Sequence, residues 1–381
     1  MLDRIVKFFT SLRLTVVLLA LGAVLVFWGT LAQVHLGTYR AQNEFFRSFF
    51  VFWNPKGSSL TIPIFPGGYM IGGLLLINLL AAHTRYYRPE KRKIGIVMIH
   101  LGVIMLLVGQ LLTDVLAQES SMHIRVNGTK NYSEADRSYE LAVIDTTDKD
   151  SDLVVAIPAH LLAKGGKINH AQLPFSVQAE TFYGNSSVTD KSTDSFEPID
   201  AENSIGQKLW WRSEPHVTAM DQRDMPSGVV ELSAGQDSLG TYMVSAYLPR
   251  PQRFTYKGHT YEMALRLRRF YKPFSLHLIE FKHDVYMGTD IPKNFSSRVR
   301  LQRPDTGEDR EVLIYMNSPL RYNGETFYQA SFDTDDQGTI LQVVHNPGWL
   351  TPYLACILVA TGLVVQFLTH LIPFLKRRLA T

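Results

Sequence analysis

Long apolar runs constrain this chain more than any other feature. Four of them approach the roughly 20 residues that cross a hydrocarbon core of about 30 Å as a helix. They are "LTVVLLALGAVLVFWGTLAQV" (Leu14–Val34), "GGYMIGGLLLINLLAAH" (Gly67–His83), "IGIVMIHLGVIMLLVGQLL" (Ile94–Leu112) and "WLTPYLACILVATGLVVQFLTHLI" (Trp349–Ile372). The second is the shortest. No small-residue cleavage site follows the first run and further runs come after it, so it reads as a retained span rather than a cleaved signal. Backbone polar groups in lipid must be satisfied within the segment, which makes each run a helix.

The flanks give an orientation. Arg4, Lys7 and Arg13 precede the first run; Arg85, Arg88, Lys91, Arg92 and Lys93 lie between the second and third; Lys376, Arg377 and Arg378 follow the fourth. Alternating spans bring all three clusters to one side, the cytoplasm by the positive-inside rule. Tyr86 and Tyr87 suit the inner interface, and Trp349 and Tyr353 the outer one. The aromatic stretch "QNEFFRSFFVFWNP", about 41–53, reads as a helix lying in the outer interface or packed beneath the domain that follows.

Between the third and fourth runs the pattern changes to period two. "SMHIRVNG", "YELAVIDT", "PFSVQAETFYG", "GTYMVSAYLP", "TYEMALRLRRFY", "FSLHLIEFKHDVY", "EVLIYMNS", "ETFYQASFD" and "TILQVVHN" read as strands, and "VNGTK", "RPDTGED", "RYNGET" and "DTDDQGT" as the turns between them. "PAHLLAKG" reads as a short helix, and "GNSSVTDKSTDSFEPIDAENS" as a long exposed loop. The expected fold is an α-helical membrane protein with four transmembrane helices (about 14–34, 67–84, 94–113 and 349–372). A large extracytoplasmic, mostly-β domain, antiparallel and sandwich-like, spans 118–347, and a basic tail ends the chain in the cytoplasm.

Composition removes several functions. The chain has 381 residues and a net charge of +3, with its cations beside the apolar runs, which reports topology rather than nucleic-acid binding. The single cysteine, Cys356, excludes an intrachain disulfide, a CxxC redox pair and a CxxCH haem-attachment site. P-loop, GxGxxG, HExxH and GxSxG motifs are absent.

Histidines carry the chemistry that is left. Eight of twelve lie in the polar middle without zinc-like spacing and read as surface or packing residues. His277 and His283, an even number apart, are expected on one strand face. In "RLRRFYKP", Arg266 and Arg268 share a face with Phe270, either as a solvated strand face or as a seat for carboxylates. His100 differs from these. It lies about 10 Å into the third span, counted from Lys93, and an ionisable residue there is a functional hypothesis. His370 lies about 9 Å deep on the fourth span, and His83 sits nearer the headgroups. Gly95, Gly102 and Gly109 recur every seven residues as a close-packing stripe, and His100 faces away from it. His100 is then either hydrogen-bonded across helices, to Asn78 or Gln110, or an axial ligand for haem iron. Ligation by both His100 and His370 would make the chain a b-type haem electron carrier; packing alone would make it a scaffold for exported proteins.

The order of three spans, β domain and final span resembles the ResB (CcsB) family of System II cytochrome c biogenesis proteins. "SLRLTVVLLALGAVLVFWGTLAQ", "FPGGYMIGGLLLINLLAAH" and "HLGVIMLLVG" resemble the family's first three spans. "MNSPLRYNGETFYQASFDTDDQGTILQVVHNPGW" resembles the signature that closes its soluble domain. The resemblance is weak between about Asp148 and Gln252. It implies a subunit without catalytic residues of its own in a cytochrome c haem-lyase complex of the bacterial cytoplasmic membrane. It also implies a multispan CcsA (ResC)-type partner, apocytochrome c with CxxCH thiols as client, and a thioredoxin-like reductant. Haem b would be held transiently and shared with the partner, with His100 as iron ligand and His83 as the second candidate. "LWWRSEP", with Trp210 and Trp211, is not the partner's tryptophan-rich motif.

Overall fold

A computed structural model describes residues 2–53, 60–86, 90–149, 151–203, 208–219, 222–289 and 292–379. Tyr87 and Arg88 of the expected cationic turn lie outside them. The chain divides into a helical unit, built from residues up to Gln118 and from His345 onward with a short stretch from Thr218, and a β unit made of the rest.

The helical unit contains α1 (Leu2–Phe9), α2 (Leu12–Leu36), α3 (Thr38–Ala41), α4 (Gly68–Tyr86), α5 (Ile94–Leu116) and, at the end of the chain, α7 (Thr351–Leu379). Among the described residues three helices, α2, α5 and α7, are long and apolar enough to cross a membrane, not the four expected. The second run does form a helix, α4, but Asn78, His83, Thr84 and Arg85 dilute its apolar character. The outward faces of the three are apolar, with Phe27, Val115 and Ile357 each more than half exposed, as lipid contact requires.

The polar residue inside α4 has a local reason. Asn78, 3% exposed, donates to Phe9 O at 2.7 Å and Ser11 O at 3.2 Å, and accepts from Thr15 Oγ1 at 2.6 Å. It thus satisfies the Phe9 carbonyl, freed where the chain breaks between α1 and α2 at the extended Ser11, and adds a bond to the Ser11 carbonyl that Thr15 already meets.

The expected interfacial helix at 41–53 is only half realised. Helical backbone runs through α3 and one π turn, Gln42–Phe46, and then stops. The aromatic and β-branched Phe50–Trp53 instead pairs antiparallel with Ile62–Pro66. Phe45 and Val51 anchor this hairpin against Leu25 and Ile71.

The β unit is antiparallel throughout its named strand pairs. Its spine is one 27-residue strand, His259–Val285, where two strands were expected. Its first part pairs with Thr129–Asp145 and its second with Pro292–Arg303. A ten-stranded sheet is built around it, and a four-stranded sheet includes Ser176–Tyr183, Ser227–Ala234 and Asp237–Ser245. Leu141, Val143, Val177, Val230, Leu232, Met263 and Leu265 close the first core between residues of the two sheets, with the short helix α6 (Ala159–Ala163) contributing Leu162. Met122, Phe274, Leu276, Leu278, Val299, Leu301, Phe327 and Leu341 fill a second core within the larger sheet. The expected loop at 184–204 contains two short strands, Ser186–Thr189 and Glu197–Pro198, both paired with Trp210–Ser213. The strands at Leu153–Pro158, Ser227–Ala234 and Pro292–Arg303 go beyond those expected.

Two predictions follow from buried polar contacts. Asn78→Leu removes three hydrogen bonds and strands the Phe9 carbonyl, while Ser11 O keeps Thr15 as its donor, so stability in detergent falls by about 1–3 kcal/mol, read as a lower melting temperature. An unchanged melting curve would show that the α1–α2 break does not depend on it. In the β unit, Lys272 Nζ, on a side chain 3% exposed, meets Glu325 Oε1 at 2.6 Å. Glu325→Ala leaves a buried ammonium and costs about 3–5 kcal/mol, whereas Lys272→Met with Glu325→Leu recovers most of that loss in denaturant titration.

Candidate functional site

The site is built from the way α5 meets its neighbours. Gly95, Gly102 and Gly109 are buried along one face of α5. A Cβ on Gly95 would lie 2.6 Å from Gln366 N, one on Gly102 2.5 Å from Val359 Cγ2, and one on Gly109 2.6 Å from Thr351 Cγ2. All three neighbours are on α7, which answers with Gly362, whose Cβ would fall 2.9 Å from Gly95 O. The glycine face is therefore occupied by α7. At about 100° per residue, His100 lies about 200° around from Gly102.

That rotation brings His100 to α4. Its ring centroid is 5.4 Å from that of His83, edge to face at 72°. Both rings are half-buried, and His83 Nε2 is buried. The contact makes the two histidines neighbours across α4 and α5. Asn78 is committed to the α1–α2 break, and Gln110 is ten residues further along α5, so neither is the cross-helix partner considered for His100.

The other histidines are placed elsewhere. His370 on α7 is exposed and pairs with Gln366 Nε2 at 2.7 Å. The structure brings together His83 and His100, and does not bring His370 to either among the described contacts. His35 is exposed at the end of α2. In the β unit, His123, His216, His259 and His283 each meet one carboxylate: Asp333, Asp224, Asp145 and Asp336. The Asp145 carboxyl is held below its usual range, first by the Thr147 hydroxyl and then by His259. Among the described residues, no three His, Cys, Asp or Glu side chains are grouped to hold a bare metal ion.

Two expected faces are broken by bulges. Register shifts between Leu267 and Arg269, so Arg266 meets Glu140 at 3.2 Å and Arg269 meets Glu134 at 2.9 Å. With Lys272 on Glu325, three of the four cations of "RLRRFYKP" are neutralised within the domain, and Arg268 lies over Phe270. A second shift, between Leu278 and Glu280, separates His277 from His283. His277 bonds Thr129 on the face opposite the buried Leu276 and Leu278, whereas His283 is two residues on from Phe281 and meets Phe332. Neither bulge carries a glycine or proline at its shifted residue, so alternation alone gave no signal of them.

Comparison with known proteins bears on the β unit. The ResB-like family matches residues 232–340. That segment takes in the 27-residue strand and most of the closing signature from Met316, but neither His83 nor His100. Protein NrfI of Wolinella succinogenes is 38% identical over 96 residues, 25% of this chain and 11% of NrfI. The chain thus spans about a tenth of the length of that curated relative. The similarity to the ResB-like family is thus carried by residues 232–340.

Proposed function

We propose that this chain is a ResB-type subunit of a cytochrome c biogenesis machine, and that it holds haem, as cargo, within the membrane for a CcsA (ResC)-type partner. The observation that carries the reading is the His83–His100 pair, 5.4 Å between ring centroids on α4 and α5, in a chain with a ResB-like segment. Bound haem supplies an iron with axial positions that neutral imidazole fills. Two rings in direct contact leave no space between them for a macrocycle. One of them, His100 in the first instance, would therefore hold the iron, and the partner would supply the other ligand. The neighbouring ring stands by as an alternative donor on the same side.

The remaining parts follow the same reading. The clusters around Arg13, Arg92 and Arg377 mark the cytoplasmic side of the bacterial membrane, with both termini there and the β unit outside. Nineteen residues of α4 extend about 28 Å, enough to accompany α2 and α5 as a fourth crossing element whose polar Asn78 is satisfied by protein rather than lipid. The lone Cys356 offers no dithiol, so the client's CxxCH thiols need a separate thioredoxin-like reductant. An electron carrier with His100 and His370 on one iron is disfavoured by the Gln366–His370 pair on α7 and the opposite facing of His100.

The test is copurification of this chain with its CcsA-type partner, followed by the visible spectrum. Haem is expected in the wild-type pair, lost or spectrally altered in His100→Ala and His83→Ala, and unchanged in His370→Ala. Covalent haem on cytochrome c in cells should fall in parallel. An unaltered spectrum and full cytochrome c assembly in the double variant His83→Ala/His100→Ala would overturn the proposal and leave a scaffold.

A further inference from the structure

A buried carboxylate stands at the end of α5, where a helix least favours one. Asp114 lies in the last turn, and the carbonyl end of the helix dipole repels a negative charge there. Its side chain is only 9% exposed, so the charge needs partners from outside the helix. It has two. Arg47 Nε meets Asp114 Oδ1 at 2.7 Å, and the Tyr69 hydroxyl donates to Asp114 Oδ2.

Both donors come from one tied piece of chain. Arg47 follows the π turn, and Tyr69 lies in the first turn of α4. Gly67 N donates to Phe49 O at 2.8 Å, and Tyr69 N to Ser48 O at 3.1 Å. Positions 67 and 68 have no room for a side chain, because a Cβ would fall 2.2 Å from Ser48 O or 2.3 Å from Phe46 O. Asp114 therefore clasps the start of α4 and the segment before it as a unit.

α4 meets α5 at this clasp and again at the His83–His100 contact. Tyr69 and His83 are fourteen residues apart, and so are His100 and Asp114. Fourteen residues are two heptads, about 21 Å of helix that returns to the same face within about 40°. The two contacts thus share one face of each helix and one antiparallel register. Beside the clasp, a Cβ on Gly72 or Gly73 would meet nothing within 4 Å, so packing at these positions does not fix how α4 slides or turns. A hydrogen bond does fix it. A slip of one residue moves the helix about 1.5 Å and turns it about 100°, more than the bond's geometry tolerates.

We propose that Asp114 is a positioning residue for the His83–His100 pair, setting the slide and rotation of α4 against α5 from the opposite end of the two helices. What the pair then holds rests on the haem-handling reading above; the geometry does not. The full-length chain with Cys356→Ser carries spin labels at Thr84→Cys and Leu101→Cys, beside the histidines, and EPR reads their distance distribution. A second labelled pair, Leu101→Cys and Leu363→Cys, reports α5 against α7. In Asp114→Ala the first distribution should widen and shift while the second stays as it is. Asp114→Glu, which keeps the charge and both acceptors, should restore the narrow one. Should Asp114→Ala fail to fold, Arg47→Gln with Tyr69→Phe removes the same two contacts and leaves α5 intact. An unchanged first distribution, or equal widening of both pairs, would overturn the proposal. With the partner copurified, the haem spectrum of Asp114→Ala should move toward that of His83→Ala, and a wild-type spectrum there would overturn it as well. Absence of haem from the wild-type pair would instead sink the haem-handling reading and leave the distances to decide this one.

Discussion

The close approach of α5 to α7 governs what this protein presents. Glycine at every seventh position lets two backbones meet where any Cβ would collide with Gln366, Val359 or Thr351. In lipid there is no hydrophobic drive between helices, so such packing is what holds them. Its second effect is rotational. With one face of α5 fixed against α7, every other residue of the helix has an assigned direction, and His100 is delivered to α4. The chemistry of the site thus depends on residues that have no chemistry.

The β unit reaches an equivalent result by a different device. Alternation along a strand would send His277 and His283 to the same face. A single unpaired residue between Leu278 and Glu280 sends them to opposite faces. A similar shift after Leu267 sets Arg266 against Glu140 and Arg269 against Glu134, so that a run of cations becomes a set of internal pairs. Bulges bend and re-aim a strand locally, and here they decide which polar side chains meet solvent and which meet a core.

Much of this was legible from residues alone. The apolar runs, the change to period two, the turn chemistry and the glycine stripe each have a local physical cause that a sequence displays. His100 stood out by its cost in lipid and His83 as the second candidate that the resemblance implied, and the structure sets them ring to ring. What escaped was non-local. Asn78 looked like a hydrogen-bond partner for His100 because a sequence does not show that the α1–α2 break needs it more. Phe50–Trp53 looked helical because its pairing strand begins only at Ile62. Glu134, Glu140 and Glu325 could not be matched to their cations without the register of the sheet.

The long strand His259–Val285 has a mechanical consequence. It lends Tyr261, Met263 and Leu265 to the first core and Phe274, Leu276 and Leu278 to the second. One covalent backbone therefore runs through both, and neither can open without pulling on the other. Loss of either core would therefore free one half of this strand and the ladders it carries, so the two cores share a covalent tie as well as a sheet.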